Sequence, residues 1–253
     1  RALHLSWRPY HLGRKEEKMK ALDMILIEQL RILLWGTTGI GKTRLYSQMA
    51  FHDEFLPMEI HDFDLGLPIL KTSLKDLPVE NWNKINVEQY QFDIEHPGET
   101  HQRFLENLRE TNRKILTQSV EAPRTVVLDS MSFANNHIVE EIAFNDKKEI
   151  PQFEHYGPQK SHIVKYLQHL TALKCNVVVV GHEDVERRPK KSLKDGVGPG
   201  DIQEIHIDVT GKLVNNIPRY FNEVYYMFMD TDEMGVSKPF IRTQIDGAVR
   251  GCK

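Results

Sequence analysis

Cysteine is nearly absent from this chain, which has only Cys175 and Cys252 among its 253 residues. Two cysteines do not build a disulfide framework, and the sequence has no cysteine and histidine cluster with metal-ligand spacing. A reducing, cytoplasmic setting is the simplest interpretation, and we expect Cys175 to be a small buried side chain. Long apolar runs are also missing. None approaches the roughly 20 residues that cross a bilayer, and no signal peptide is recognisable.

No charge of one sign predominates. The 33 lysines and arginines and the 36 aspartates and glutamates give a formal net charge of -3, so any contact with nucleic acid requires a local basic patch. The 40% content of hydrophobic residues is enough to bury a sizeable core in one large α/β domain. We expect this domain to span residues 25–253, preceded by a basic and poorly ordered extension over residues 1–24.

Short apolar runs alternate with helical patterns along the chain. Three of the runs, 31–35, 125–129 and 176–181, have the composition of fully buried parallel strands. Further strands are predicted at 57–64, 86–92, 223–229 and 239–243, and helices at 42–51, 98–117, 133–148 and 157–173. The alternation predicts an α/β fold with a mainly parallel central sheet and helices on both faces. The turn at 232–235 predicts an antiparallel hairpin at one edge of that sheet.

A complete phosphate-loop pattern, G-x-x-x-x-G-K-[ST], follows the first predicted strand and precedes a helix. Its glycines allow successive backbone N–H groups to point at phosphate oxygens, and the helix N-terminus adds partial positive charge. Lys42 would neutralise the β- and γ-phosphates, and the Thr43 hydroxyl would bind Mg²⁺. We therefore predict that ATP and Mg²⁺ are bound, with contacts from Gly36, Thr37, Thr38, Gly39, Ile40, Gly41, Lys42, Thr43 and Arg44.

Polar residues end the neighbouring strands. Asp129 closes an apolar run, where an unpaired carboxylate is costly to bury, so we predict that it holds Mg²⁺ together with Thr43. Capping the next helix is the alternative role. Hydrolysis also needs a group that orients water, and we favour Asp64 over Asp62, although both could be solvated loop carboxylates. His182 could hydrogen-bond the γ-phosphate, or it could be a strand-end histidine satisfied by backbone groups.

The one clear shift in composition lies at residues 183–210, which we predict to be a long, flexible loop. Its basic residues stand beside glycines and prolines: Arg187, Arg188, Lys190, Lys191 and Lys194. The segment lacks the aromatic side chains on which single-stranded nucleic acids usually stack, so contact would be with phosphates and would weaken with salt. A solvated surface loop is the alternative.

The order of these motifs resembles that of the RecA-like P-loop ATPases carried by bacteriophages, a group that includes single-strand annealing and recombination proteins. The narrower signal is the stretch GKLVNNIPRYFNEV at 211–224. The resemblance implies a RecA-type core, ATP with Mg²⁺, and a role in DNA recombination or replication in the cytoplasm of an infected host. It places Asp64 at the position of the water-activating acid, usually glutamate, and His182 at that of the γ-phosphate sensor.

The same resemblance implies several partners. It places residues 183–210 where relatives touch single-stranded DNA, and it implies a homo-oligomer that works with phage replication or recombination proteins. Lys212 and Arg219 could then reach the γ-phosphate of a neighbouring subunit, although a helix cap or a surface charge explains them equally well.

Three functions remain open at this point. The leading one is an ATP-hydrolysing protein of DNA recombination, strand annealing or replication. Because Asp64 is one methylene shorter than glutamate, the second is a nucleotide-gated clamp or loader with little turnover. The third is a small-molecule kinase, since the run at 187–194 could be mistaken for an arginine-rich lid. The glycine-rich continuation of that run and the motif order argue against a kinase.

Overall fold

The computed structural model describes residues 29–91, 97–187, 202–209, 213–232 and 234–243. The strands are β1 (Arg31–Gly36), β2 (Met58–Asp62), β3 (Ile85–Gln89), β4 (Thr125–Asp129), β5 (Asn176–Arg187), β6 (Ile202–Ile207), β7 (Glu223–Thr231) and β8 (Ser237–Arg242). The α-helices are α1 (Lys42–Ser47), α2 (Leu67–Ser73), α3 (Val79–Trp82), α4 (Pro97–Leu116), α5 (Met131–Asn145) and α6 (Tyr156–Ala172). The predicted extension, residues 1–24, lies outside the described residues.

All the described strands belong to one sheet of eight, in the order β3-β2-β4-β5-β1-β7-β8, with β6 paired to β5 beside this path. Every pairing from β3 to β7 along this order is parallel, and β8 adds an antiparallel hairpin with β7 at one edge. The predicted fold class is therefore confirmed, including the hairpin near the C-terminus. Among the described residues, no helix is long and apolar enough to cross a bilayer.

The central strands are apolar on both sides because helices cover both faces of the sheet. All five residues of β4 are buried. Its Val126 and Leu128 pack with residues of α4, α5 and α6, whereas Val127, between them, packs with residues of α1 and α2 on the other face. The alternation follows from the period of two along a strand, and continuous apolar runs are the expected signature of such a doubly covered sheet.

The segment after β5 differs from the prediction of one long loop over residues 183–210. The strand β5 continues to Arg187, and its last residues pair antiparallel with β6, starting from Glu183 opposite Ile207. Ile205 and Ile207 flank His206 in β6, but Val185 is the one apolar residue from Glu183 to Arg187, so the segment has only a weak strand pattern in the sequence. We call this pair the β5–β6 ribbon. The predicted basic residues Arg188, Lys190, Lys191 and Lys194 lie outside the described residues.

The remaining differences concern short elements. The helix predicted over 42–51 is α1 followed by a 3-10 helix at Gln48–Phe51, and such tightening is common at the end of an α-helix. The helices α2 and α3 were not predicted, since each spans at most two turns and neither has a long periodic pattern. The strand β3, predicted at 86–92, occupies one edge of the sheet.

Candidate nucleotide-binding site

The predicted site residues meet at one edge of the sheet because parallel strands end on the same side. The phosphate loop follows β1, Asp64 follows β2, Asp129 ends β4, and His182 lies in β5 directly opposite Gly36 of β1. The strand order places β5 between β1 and β4. His182 is therefore carried by the strand that separates the phosphate loop from Asp129.

Two glycines of the phosphate loop are required by the backbone. Gly41 has a φ of 100° and stands at the N-cap of α1, in the left-handed region that side chains with a Cβ rarely adopt. Gly36 has a φ of +146°, and a Cβ there would lie 2.0 Å from the carbonyl oxygen of Met227 on β7. The loop can consequently turn tightly between β1 and α1 only with glycine at these positions.

Lys42 is held inside the loop by backbone carbonyl groups. Its side chain is 6% exposed, and its Nζ donates hydrogen bonds to the carbonyl oxygens of Gly36 at 2.8 Å and Thr37 at 2.9 Å. Burial lowers the pKa of Lys42, while the nearby carboxylates of Asp129, Asp64 and Glu183 act in the opposite direction. The loop thus positions a cation beside its own backbone amides, where a phosphate chain would meet both.

Asp129 is a deeply buried carboxylate that is bound by two hydroxyl groups. It is 2% exposed, and its Oδ2 accepts hydrogen bonds from Thr43 Oγ1 and Tyr46 Oη, both at 2.9 Å. Burial raises the pKa of Asp129 to about 6, with a further contribution from the charge of Asp64. Asp129 does not cap the following helix, because the side chain of Ser130 accepts the hydrogen bond from Phe133 N at 3.4 Å.

Asp64 and His182 form a chain of contacts that reaches the phosphate loop. Asp64 Oδ1 accepts from Ser130 Oγ at 2.8 Å, and Asp64 Oδ2 lies 2.9 Å from His182 Nε2. His182 Nδ1 lies 3.0 Å from Thr38 Oγ1. A carboxylate can only accept, so Nε2 carries the proton, and in neutral His182 Nδ1 accepts from the Thr38 hydroxyl. The water-orienting candidate and the γ-phosphate sensor candidate are therefore in direct contact.

Asp62 has a different role from Asp64. It is 3% exposed, and its two oxygens accept hydrogen bonds from the backbone N of Gly66 and from Gln89 Nε2, each at 3.0 Å. These bonds fix the turn from β2 into α2 and join it to β3. Of the two aspartates, only Asp64 lies in contact with His182 and Ser130.

Two further residues of the site were not assigned a role from the sequence. Glu183 Oε1 accepts from Thr37 Oγ1 at 3.0 Å, and its Oε2 accepts from Tyr226 Oη at 2.7 Å. Tyr46 lies three residues after Thr43, which is one helical turn, and its hydroxyl shares the Asp129 oxygen with Thr43. For Tyr46 the available signal was its helical spacing from Thr43. For Glu183 it was its place next to His182, directly after the apolar run of β5.

The geometry fits the Mg²⁺ ion that this class of site implies. Thr43 Oγ1 and Asp129 Oδ2 are 2.9 Å apart, and a hydroxyl and a carboxylate are oxygen ligands of the type Mg²⁺ prefers. The raised pKa of Asp129 indicates a buried charge that a cation would stabilise. Over the described ranges, no group of three or more His, Cys, Asp or Glu side chains is arranged to hold a metal alone. Phosphate oxygens and water would therefore complete the coordination.

The other predicted residues are distributed around this centre. Ile40 is buried against Leu34 and Met227, and Arg44 lies exposed on α1. Arg219 is exposed in a 3-10 turn at Ile217–Tyr220 that leads into the start of β7. That turn is at the amino ends of the strands, so Arg219 is at the opposite edge of the sheet from the phosphate loop of its own chain. Lys212 lies outside the described residues.

The topology and this constellation define a P-loop ATPase domain of the RecA-like type. The chain belongs to the family described as AAA domain, whose model matches residues 28–249. No curated protein matches the sequence.

The chain is similar to several solved structures at low sequence identity. A KaiC-like protein from the archaeon Pyrococcus horikoshii OT3 is 14% identical with a TM-score of 0.50, over 84% of this chain and 79% of that one. The ATP synthase subunit NeqB of Nanoarcheaum equitans is 11% identical with a TM-score of 0.48, over 79% and 46% of the two chains. An ATPase of a type III secretion system from pathogenic bacteria is 10% identical with a TM-score of 0.45, over 79% and 52%.

Proposed function

We propose that this chain is a phage ATPase that acts as a homo-oligomer on single-stranded DNA, in recombination, strand annealing or replication. The observation that carries the proposal is the continuous course of β5. This strand bears His182 and Glu183 at the phosphate loop and then runs without a break into the β5–β6 ribbon. The basic residues from Arg188 to Lys194, which lie outside the described residues, follow the ribbon directly in the sequence. A change at the nucleotide would therefore be transmitted to a DNA-binding segment through one strand.

In the proposed reaction each residue has a separate task. The amides of the phosphate loop and Lys42 bind the phosphate chain, while Thr43 and Asp129 hold Mg²⁺. When bound, that ion neutralises charge on the β- and γ-phosphates. Asp64 orients the attacking water and receives its proton as the oxygen bonds to the γ-phosphorus and the bond to the β-γ bridging oxygen breaks. ADP and inorganic phosphate leave.

His182 and Glu183 would couple this reaction to the ribbon. In the described state the hydroxyls of Thr37 and Thr38 are bonded to these two residues of β5. A γ-phosphate that competes for those hydroxyls would weaken both links, and its loss on hydrolysis would restore them. The proposed homo-oligomer also gives Arg219 a role. Since it lies at the far edge of its own sheet, it can reach a nucleotide only in a neighbouring subunit.

The proposal is tested by measuring ATPase rates with and without single-stranded DNA at low salt. We expect DNA to increase the wild-type rate, and Lys42→Ala to abolish turnover. Lys148→Ala, which removes an exposed lysine far from the site, is the matched control and should behave as wild type. A variant with glutamine at positions 188, 190, 191 and 194 should keep the DNA-free rate and lose the stimulation. An ATPase rate that ignores DNA would contradict the DNA part of the proposal.

One observation favours a nucleotide-gated clamp or loader with slow turnover as the second candidate. Both carboxylate oxygens of Asp64 are engaged, one by Ser130 and one by His182. Each oxygen keeps one lone pair for a further donor, so an attacking water must fit beside a partner that is already in place, which restricts its approach to Asp64. Single-turnover hydrolysis separates the two functions: a switch holds ATP for many minutes with or without DNA, whereas the recombination ATPase hydrolyses it rapidly once DNA is bound.

A further inference from the structure

The side chains of Thr38, His182 and Asp64 form a row of a hydroxyl, an imidazole and a carboxylate. Thr38 Oγ1 lies 3.0 Å from His182 Nδ1, and His182 Nε2 lies 2.9 Å from Asp64 Oδ2. Because Nε2 carries the proton that faces the carboxylate, Nδ1 can accept the proton of the Thr38 hydroxyl. A hydroxyl beside a base that a third group orients is the arrangement that makes a side chain a nucleophile.

Thr38 stands in the loop that would hold the phosphate chain of ATP. The residue is exposed, and it lies four positions before Lys42, the predicted partner of the β- and γ-phosphates. Gly39, which follows it, has a φ of +77°, and no described atom lies within 4 Å of the place that a Cβ there would occupy. The Thr38 hydroxyl is therefore at an open part of the loop, with room to meet a bound phosphate.

The other two threonines of the loop are bonded to carboxylates. Thr37 donates to Glu183 at 3.0 Å, and Thr43 donates to Asp129 at 2.9 Å. Thr43 is the predicted Mg²⁺ ligand, and the charge of Glu183 would repel a phosphate that approaches Thr37. Of these three hydroxyls, Thr38 is consequently the one that has an imidazole base and no neighbouring demand from the metal.

We propose that the protein phosphorylates its own Thr38 with the γ-phosphate of ATP, and that His182 is the base. This inference rests on the proposed ATP-binding function. Thr38 Oγ1 bonds to the γ-phosphorus while the bond to the β-γ bridging oxygen breaks, and ADP leaves with that electron pair. The hydroxyl proton passes to His182 Nδ1, and Asp64 stabilises the imidazolium that forms. Attacking water must fit beside the partners of Asp64, whereas Thr38 already contacts its base.

The modified protein would be closed to further nucleotide. A phosphorylated threonine carries a charge of about −1.5 to −2 at pH 7. At position 38 this charge would stand where Lys42 and the loop amides receive the phosphates of a nucleotide. We expect the phosphorylated chain to bind ATP at least about tenfold more weakly than the unmodified chain, so each chain would be modified once and then stay inactive.

The test is incubation of the whole chain with Mg²⁺ and ATP labelled in its γ-phosphate, followed by an acid quench and mass spectrometry of the peptides. We expect acid-stable label, up to one phosphate per chain, on Thr38. Phosphate on a histidine or on a carboxylate is lost in acid, so the quench distinguishes Thr38 from His182 and Asp64. The fraction labelled at a given time should not depend on protein concentration, because donor and acceptor belong to one site.

Four variants identify the acceptor and the base. Thr38→Val keeps the shape of the side chain and should take up no label, whereas Thr38→Ser keeps the hydroxyl and should be labelled. His182→Gln should slow labelling at least about 100-fold, as removal of a general base does. Thr117→Val removes an exposed threonine hydroxyl just after α4 and is the matched control, which should be labelled as wild type.

The outcomes separate this inference from the function on which it rests. If the wild type takes up no ATP in magnesium buffer by calorimetry, the proposed function fails. If ATP binds or is hydrolysed while the label is absent, acid-labile or on a residue other than Thr38, the inference is overturned and the proposed function stands. Should Thr38→Val not fold, the position of the phosphate in the wild type and in Thr38→Ser decides the question.

Discussion

Replacement of Asp129 by asparagine should stabilise the nucleotide-free protein while abolishing its ATPase activity. The side chain is 2% exposed, and burial together with the charge of Asp64 raises its pKa from 3.8 to about 6. The folded state therefore binds more protons than the unfolded chain between about pH 4 and 6, so this group lowers stability as the pH rises through that window. Above pH 6 the full cost of the buried charge is present.

The size of the effect follows from the pKa shift. About two pH units correspond to about 3 kcal/mol, since each unit is worth about 1.4 kcal/mol. The amide oxygen of asparagine can still accept from Thr43 and Tyr46, but its NH₂ group needs an acceptor, and leaving that group unsatisfied costs about 1 kcal/mol. We expect Asp129→Asn to be about 2 kcal/mol more stable than the wild type at pH 7.5, and the advantage to vanish near pH 4.

Urea denaturation in EDTA without nucleotide, at pH 4, 5.5 and 7.5, measures this difference. Asp62→Asn is the matched control, because Asp62 is equally buried but both of its oxygens accept hydrogen bonds from donors. Asparagine would place an NH₂ group against one of those donors, so the free energy of unfolding of this variant should be lower by about 1–3 kcal/mol. A destabilised Asp129→Asn at pH 7.5, or a gain that does not grow between pH 4 and 6, would refute the reasoning.

Three further predictions concern single side chains. Gly36→Ala should unfold or fail to express, because its Cβ would meet the backbone oxygen of Met227 at 2.0 Å. A soluble variant with an unchanged melting temperature would contradict this close approach. Gly157 lies in α6 with open space around it, so Gly157→Ala should raise the free energy of unfolding by about 0.5–1 kcal/mol, measured by chemical denaturation. A lower free energy of unfolding would show that the glycine is needed. Glu183→Gln removes a negative charge that is bonded to Thr37 in the phosphate loop. Because repulsion between such a charge and the phosphates of ATP costs about 1 kcal/mol near the surface, the variant should bind ATP about fivefold more tightly, measured by calorimetry. Weaker ATP binding would contradict this role.

The phosphate loop and the buried strands could be predicted because their signals are local. The loop is one contiguous motif between a strand and a helix, and β4 and β5 are continuous apolar runs that only a doubly covered sheet explains. Asp129 could be placed for the same reason, since an acid at the end of such a strand must have a partner. The β5–β6 ribbon was missed because four of the five residues from Glu183 to Arg187 are charged, which leaves almost no apolar pattern there.

The sequence favoured Asp64 over Asp62, but it could not identify the partners of either side chain, because those partners are distant along the chain. Asp62 faces Gln89, which is on the neighbouring strand β3, and Asp64 faces Ser130 and His182. The pair Glu59 and His61 is a similar case. Both are buried in β2, where Glu59 contacts Thr111 and lies 2.9 Å from His61 Nε2, and His61 Nδ1 lies 2.9 Å from Tyr90 Oη. Only the folded chain brings these polar partners together.

The unbroken course of β5 restricts how sequences related to this one can vary in length. Side chains point to opposite faces at every step along a strand, so one added residue between Asn176 and His182 would exchange the directions of His182 and Glu183. Thr37 and Thr38 would then lose both of their partners in one event. Along β5 and the residues that follow it, insertions and deletions in homologues should therefore fall between Arg187 and Ile202, leaving the distance from the start of β5 to His182 fixed.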